Sequence, residues 1–136
     1  MKTKNYFKEG KNDIYWVGSN FQEHFGDMDF VEVAETTLQT KTLEKDMLDK
    51  EILEQWKPEE CRLGDVAYAL KNWEKVGLLR NYYANIFYIR DKDNTLWAVF
   101  AFWFAARGGW HVDARSVGYP FRWDARDQVV SRQLDS

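Results

Sequence analysis

Along the first eighty residues, apolar positions recur mostly at helical spacing; after Arg80 they recur at every second position. Leu63, Val66, Ala67, Leu70, Trp73 and Val76 follow the i, i+3, i+4, i+7 pattern of one helix face, and Gly77 is a natural stop. Met47, Leu48, Ile52 and Trp56 predict a helix over Asp46–Trp56, ended by Pro58. Asp13–Val17 reads as a short strand. A helical turn then runs from Ser19 or Asn20 to Phe25, with Phe21 and Phe25 on one face. Phe30–Leu43, where Val31 and Val33 alternate with acids and Thr36–Thr42 is β-branched-rich, reads as strand. Tyr82–Arg90 is a strand, and Asp91–Asn94 supplies turn chemistry. Leu96–Phe104 is apolar on both faces, which predicts a central strand covered on both sides. Arg107-Gly108-Gly109 makes a tight turn into Trp110–Val117, where His111, Asp113 and Arg115 share one face. Gln128–Arg132 is a last short strand. The expected fold class is α+β, an antiparallel C-terminal β-meander of three to four strands packed against two to three helices from the N-terminal half.

A length of 136 residues without a Pro/Gly/Ser-rich linker predicts a single domain. Residues 1–12 are expected to be flexible, 13–80 mainly helical and acidic, and 81–132 the antiparallel sheet. Between Glu23 and Glu60 twelve acids face four lysines; all eleven lysines lie at or before Lys92. Aromatic residues make up 17% of the chain, too many for a disordered segment. Thirteen of them lie between Tyr82 and Trp123, so the excess belongs to the sheet and its loops. No apolar run approaches the ~18 residues of a membrane span. The lysine-rich N-terminus has no apolar signal core, so the expected location is cytoplasmic.

The strand YANIFYIRDKDNTLWAVFAFW, the segment GGWHVDARSV and the terminal PFRWDARDQVVSR resemble a group of small bacterial proteins with no known function. Segments of the form G-S-N-F-x-x-H-F-G and T-L-Q-T extend the resemblance over Asp13 to Arg132. It implies a small standalone domain ending near Val130-Ser131-Arg132, and it carries over no catalytic or binding residue.

No P-loop, G-x-G-x-x-G, G-x-S-x-G or H-E-x-x-H motif is present. His24 and His111 are far apart and outside any metal-ligand spacing, and DKDNTLWAVFAF lacks the glycine and the final Glu of an EF-hand loop. No metal or cofactor is expected. Cys61 lies between Glu59-Glu60 and Arg62 and reads as a plain or partly buried thiol. Trp, Tyr and Arg dominate interface hot spots, and the C-terminal third is dense in all three. The candidate binding residues are Arg107, Trp110, His111, Asp113, Arg115, Tyr119, Arg122 and Trp123. The reading that follows is a non-enzymatic binding protein, with a protein partner or self-association. The runner-up is a single-stranded nucleic-acid module on the same sheet, weakened by a pI near 5.4. The third is an enzyme centred on His111 and Asp113, with Arg115 as anion binder.

Overall fold

A computed structural model describes residues 1–133. The elements in chain order are α1 (Thr3–Tyr6), β1 (Ile14–Val17), α2 (Ser19–Phe25), β2 (Leu38–Thr42), α3 (Asp49–Trp56) and α4 (Leu63–Lys71). They continue with α5 (Trp73–Val76), β3 (Asn85–Arg90), β4 (Leu96–Phe104), β5 (Gly109–Ser116) and β6 (Gln128–Arg132). All six strands join one sheet in the order β1-β5-β4-β3-β6-β2. β3, β4 and β5 are antiparallel neighbours, but β1 pairs parallel with β5 and β6 parallel with β3. The expected antiparallel meander of three to four strands is therefore corrected to a mixed six-stranded sheet. Parallel pairs join segments far apart in the chain through long crossovers, without a hairpin turn to announce them.

The sheet is packed on both faces. On the first face, Phe21 and Phe25 of α2 and Leu63, Val66 and Leu70 of α4 bury against Phe87, Ile89, Val99, Trp110, Val112 and Val130. On the second face, Ile52 of α3 packs with Ile86, Tyr88, Ala98, Val129 and Trp123. Burial on both faces explains why β3 has five consecutive buried residues.

Three local expectations change. The helix predicted over Leu63–Val76 breaks at Asn72, whose backbone (φ −112°, ψ 43°) leaves the helical region while its amide and its side chain both donate to the Tyr68 carbonyl at 2.9 Å. Of Phe30–Leu43 only Leu38–Thr42 is strand, paired with β6. Residues 1–12 are tied down where a flexible lead-in was expected. Tyr6 and Phe7 are buried among Phe21 and Phe30, and the Thr3 hydroxyl and amide both donate to the Met28 carbonyl. Two large aromatic rings outweigh a lysine-rich background, because each buries far more apolar area than lysine stems must expose. Among the described residues no helix is long and apolar enough to cross a membrane.

Candidate functional site

Residues of β4 alternate between the faces, so Phe100, Phe102 and Phe104 project onto the second face. There they meet their β5 register partners Asp113, His111 and Gly109. α3 and Trp123 cover the β3 side of that face, and Phe100 makes an edge contact with Trp123 at 5.2 Å. Beyond it, toward β1, Phe102, Phe104 and His111 are only half-buried.

β1 completes this surface through an irregularity in its pairing. Ile14 is opposite Trp110 and Trp16 opposite His111, so Tyr15 and Trp16 occupy one step of β5. Such bulges re-aim side chains. Tyr15 stacks on His111 at 5.3 Å and on Phe104 at 6.1 Å, and Trp16 lies 5.4 Å from His111. Gly109 permits the approach, because a Cβ there would sit 2.7 Å from the Tyr15 Cβ. His111 is thus ringed by Tyr15, Trp16, Phe102 and Phe104. Its Nε2 is buried with no hydrogen-bond partner among the described residues, and burial pulls its pKa below the ordinary value. The imidazole is held neutral among rings, with the Arg107 guanidinium 5.5 Å from the Tyr15 ring at the rim.

The second part of the site is the 117–127 loop. Arg115 stacks on Trp123 at 3.6 Å, pairs through Nε with Asp49 at 3.1 Å and donates from its other end to the Phe121 carbonyl at 3.0 Å. Asp49, fully buried, also accepts the Tyr88 hydroxyl and the Trp123 indole N–H, each at 2.7 Å. Burial and the adjacent Asp49 carboxylate push the Tyr88 hydroxyl well above its ordinary pKa, so it remains a donor. The network fixes the loop on which Tyr119 and Phe121 stand exposed, 42% and 65%, with rings 5.3 Å apart.

The candidate residues therefore divide. Arg107, Tyr119 and Arg122 are exposed, Arg122 reaching Glu51 at 3.6 Å, and His111 is the centre of the ring cluster. Trp110 and Trp123 are interior, at 1% and 7% exposure. Asp113 is not beside His111 but caps α2, its carboxylate accepting the Phe21 N–H at 3.2 Å. Gly18 leaves that carboxylate its room, since a Cβ there would collide with it. Arg115 is committed to Asp49. His111, Asp113 and Arg115 thus share a strand face without forming a hydrogen-bonded set.

Sequence reasoning missed Tyr15, Trp16, Phe102 and Phe104 as surface residues. The available signal was Tyr-Trp inside a four-residue strand whose buried positions, Ile14 and Val17, are three apart and so break strict alternation. Cys61 is buried, its thiol 3.6 Å from the Val130 carbonyl and pushed far above its usual pKa by burial. The calcium-like turn is a hairpin held by Asp91, which accepts the Asp93 and Thr95 amides and the Trp97 indole N–H. Among the described residues no group of three His, Cys, Asp or Glu side chains is placed to hold a metal. Comparison with protein-family models, with curated proteins and with solved structures finds no match to this chain.

Proposed function

We propose that this protein acts by binding another protein through the open half of its second sheet face and the adjoining loop. The observation that carries the reading is the cluster of Tyr15, Trp16, Phe102 and Phe104 around His111, left outside the second core and continued by exposed Tyr119 and Phe121. Contiguous exposed rings mark interaction surfaces, and Tyr, Trp and Arg are the side chains that most often anchor them. Arg107 and Arg122 on the rim favour a partner with an apolar centre and carboxylates around it. A cytoplasmic setting is part of the proposal.

The test is capture of partners from the native cell extract by the wild-type chain and by a Trp16→Ser/Phe121→Ser variant, with identification and sedimentation of the purified complex. One partner enriched by wild type, lost with the variant and retained by a Lys45→Ser control supports the reading. Equal capture by both chains, at unchanged thermal midpoints, refutes it. The stacking of Tyr15 on Phe104 and His111 beside Arg107 also suits single-stranded nucleic acid. Salt-sensitive binding of oligothymidylate, abolished by the same variant, would favour that reading over a protein partner.

A further inference from the structure

The sheet ends in β1 on one side and β2 on the other, and the chain treats these two edges differently. At β1 it covers its own strand. The Ile14 carbonyl accepts the Gly10 amide and the Ile14 amide donates to the Lys11 carbonyl, each at 2.9 Å. The Val17 carbonyl accepts the Gln22 side-chain amide at 2.9 Å. β2 has no such cover among the described residues. Its ladder with β6 is regular over Leu38–Thr42, without a bulge or a proline to blunt the edge. Just beyond the two ends, the Thr37 carbonyl accepts the Gln133 amide at 3.0 Å and the Leu43 amide donates to the Asp127 carbonyl at 2.8 Å. Bonding alternates along an antiparallel pair, so Gln39 and Lys41 are the residues that bond β6. Leu38, Thr40 and Thr42 turn their amides and carbonyls outward, where these find no partner among the described residues.

Gln39, Thr40, Lys41 and Thr42 are exposed in succession. A lysine on an edge ordinarily wards off a second strand. Lys41, however, is drawn onto the second face, its ammonium 4.2 Å from the centre of the Trp56 ring. The strand is also its own complement. When two copies pair antiparallel about a two-fold axis at Thr40, Thr40 meets Thr40, Leu38 meets Thr42 and Gln39 meets Lys41. In that register every outward amide and carbonyl of both strands finds a partner. No lysine then lies opposite a lysine, and threonine pairs suit such a ladder. The flanks match as well. Glu35, which meets exposed Lys75 at 3.3 Å, and Lys45 are both exposed and lie equally far before and after Thr40, so the two-fold sets opposite charges against each other.

We infer that β2 pairs with β2 of a second copy of this chain, continuing the six-stranded sheet across a two-fold axis at Thr40. A single strand edge buries an area at the low end for specific interfaces, so the dimer is weak and forms with rising concentration. The aromatic face lies toward β1, at the other end of the sheet, so a partner there and a second copy at β2 do not compete.

The test is sedimentation equilibrium of the full chain from about 1 μM to about 1 mM, with amide hydrogen exchange read at both ends of that range. The mass should double with concentration while exchange slows at Leu38, Thr40 and Thr42. Gln39→Lys places lysine opposite lysine twice in the symmetric pair and should weaken association about ten-fold or more. Gln39→Lys/Lys41→Gln restores the unlike pair and should recover it. Thr40→Pro removes the central outward amide but keeps the β6 bonds of Gln39 and Lys41, a position where an edge strand accepts proline; association should be lost. If that variant fails to fold, the two lysine variants decide. A chain that stays monomeric throughout, leaving the edge to an extended segment of another protein, overturns the inference. So does a dimer that Gln39→Lys leaves intact or that Trp16→Ser/Phe121→Ser abolishes, because the contact would then lie elsewhere.

Discussion

Replacing Asp49 with alanine removes a carboxylate that accepts Tyr88 Oη, Trp123 Nε1 and Arg115 Nε in a site with no solvent exposure. Three consequences add. The Tyr88 hydroxyl is left without its partner beside α3, the Trp123 indole N–H loses its acceptor, and the Arg115 guanidinium, 14% exposed, loses its counter-charge. Breaking a buried ion pair by deleting one member costs about 3–5 kcal/mol. An unpaired buried donor adds about 1–3 kcal/mol unless the structure relaxes to let water in. The expected loss for Asp49→Ala is thus about 4 kcal/mol or more, a large share of the roughly 5–15 kcal/mol that holds a domain folded. Asp49→Asn keeps one oxygen for Tyr88 and Trp123 but presents an amide to Arg115. Its expected cost is about 2 kcal/mol, the value of a hydrogen bond to a charged group.

Urea unfolding of the three chains measures these differences, provided the slope with denaturant stays constant and the transition is two-state. A double-mutant cycle with Arg115→Met isolates the Asp49–Arg115 contribution, because the two side chains touch and their effects are not additive. A loss below about 1 kcal/mol for Asp49→Ala would refute the reasoning, because α3 would then be docked by Ile52 and its neighbours alone.

Two of the three aromatic residues of the 117–127 loop should separate cleanly. Trp123→Ala, at a buried ring with a bonded indole, should cost about 3–5 kcal/mol, whereas Phe121→Ser should stay within about 0.5 kcal/mol in the same urea titration. Stability should also depend on His111 with a definite sign. Its folded pKa lies below the ordinary 6.5, so the unfolded chain takes the proton first and stability falls as pH drops below about 6.5. The rings packed on it, Tyr15, Trp16, Phe102 and Phe104, and the Arg107 guanidinium over Tyr15 supply no anion to hold a proton on the imidazole. Unfolding free energies at about pH 7.5 and about pH 5.5 should therefore drop more for wild type than for His111→Phe. Asp127, raised by burial, acts in the opposite direction in both chains and cancels from the comparison. An equal drop in both chains would contradict the neutral imidazole.

Where the chain carries its own periodicity, it was legible. Leu63, Val66, Ala67 and Leu70 do enter the first core, although α4 is buried nearly all round, and the two-residue period after Arg80 marks β3, β4 and β5. The parallel partnerships were not, because a parallel partner is chosen by packing rather than by a turn. Nothing near Gln128 signals that its neighbour is Asn85, where the Gln128 side chain reaches the Asn85 Oδ1 at 2.8 Å. Around the candidate site, the exposure of Arg107, Tyr119 and Arg122 and the half-burial of His111 could be read from loop position and alternation. Trp123 could not be assigned to the interior, since a loop tryptophan is buried only by a distant acceptor, here Asp49. Phe102 and Phe104 misled for a related reason. An all-apolar strand reads as covered on both sides, and only the extent of α3 says where the cover stops.

That extent explains why half of the second face is open. A helix about 10 Å wide spans roughly two strands at the usual spacing of ~4.8 Å, and the sheet has six. α3 lies over the β3 side, and the 117–127 loop carries Trp123 onto Phe100 at the middle. Among the described residues no helix is left for β1 and the outer part of β5 on this face, so the rings around His111 meet solvent. Arg115 stands on the boundary, one end on Asp49 in the interior and the other on the Phe121 carbonyl at the rim. Substituting Arg115 would therefore change both stability and the position of Tyr119 and Phe121, and a binding loss in such a variant would not by itself identify a contact residue. Trp16 makes no such link to the interior: it is 40% exposed and, among the described residues, its ring pairs with His111 alone. A loss of partner binding in Trp16→Ser at an unchanged melting point thus separates the contact surface from the scaffold that holds it.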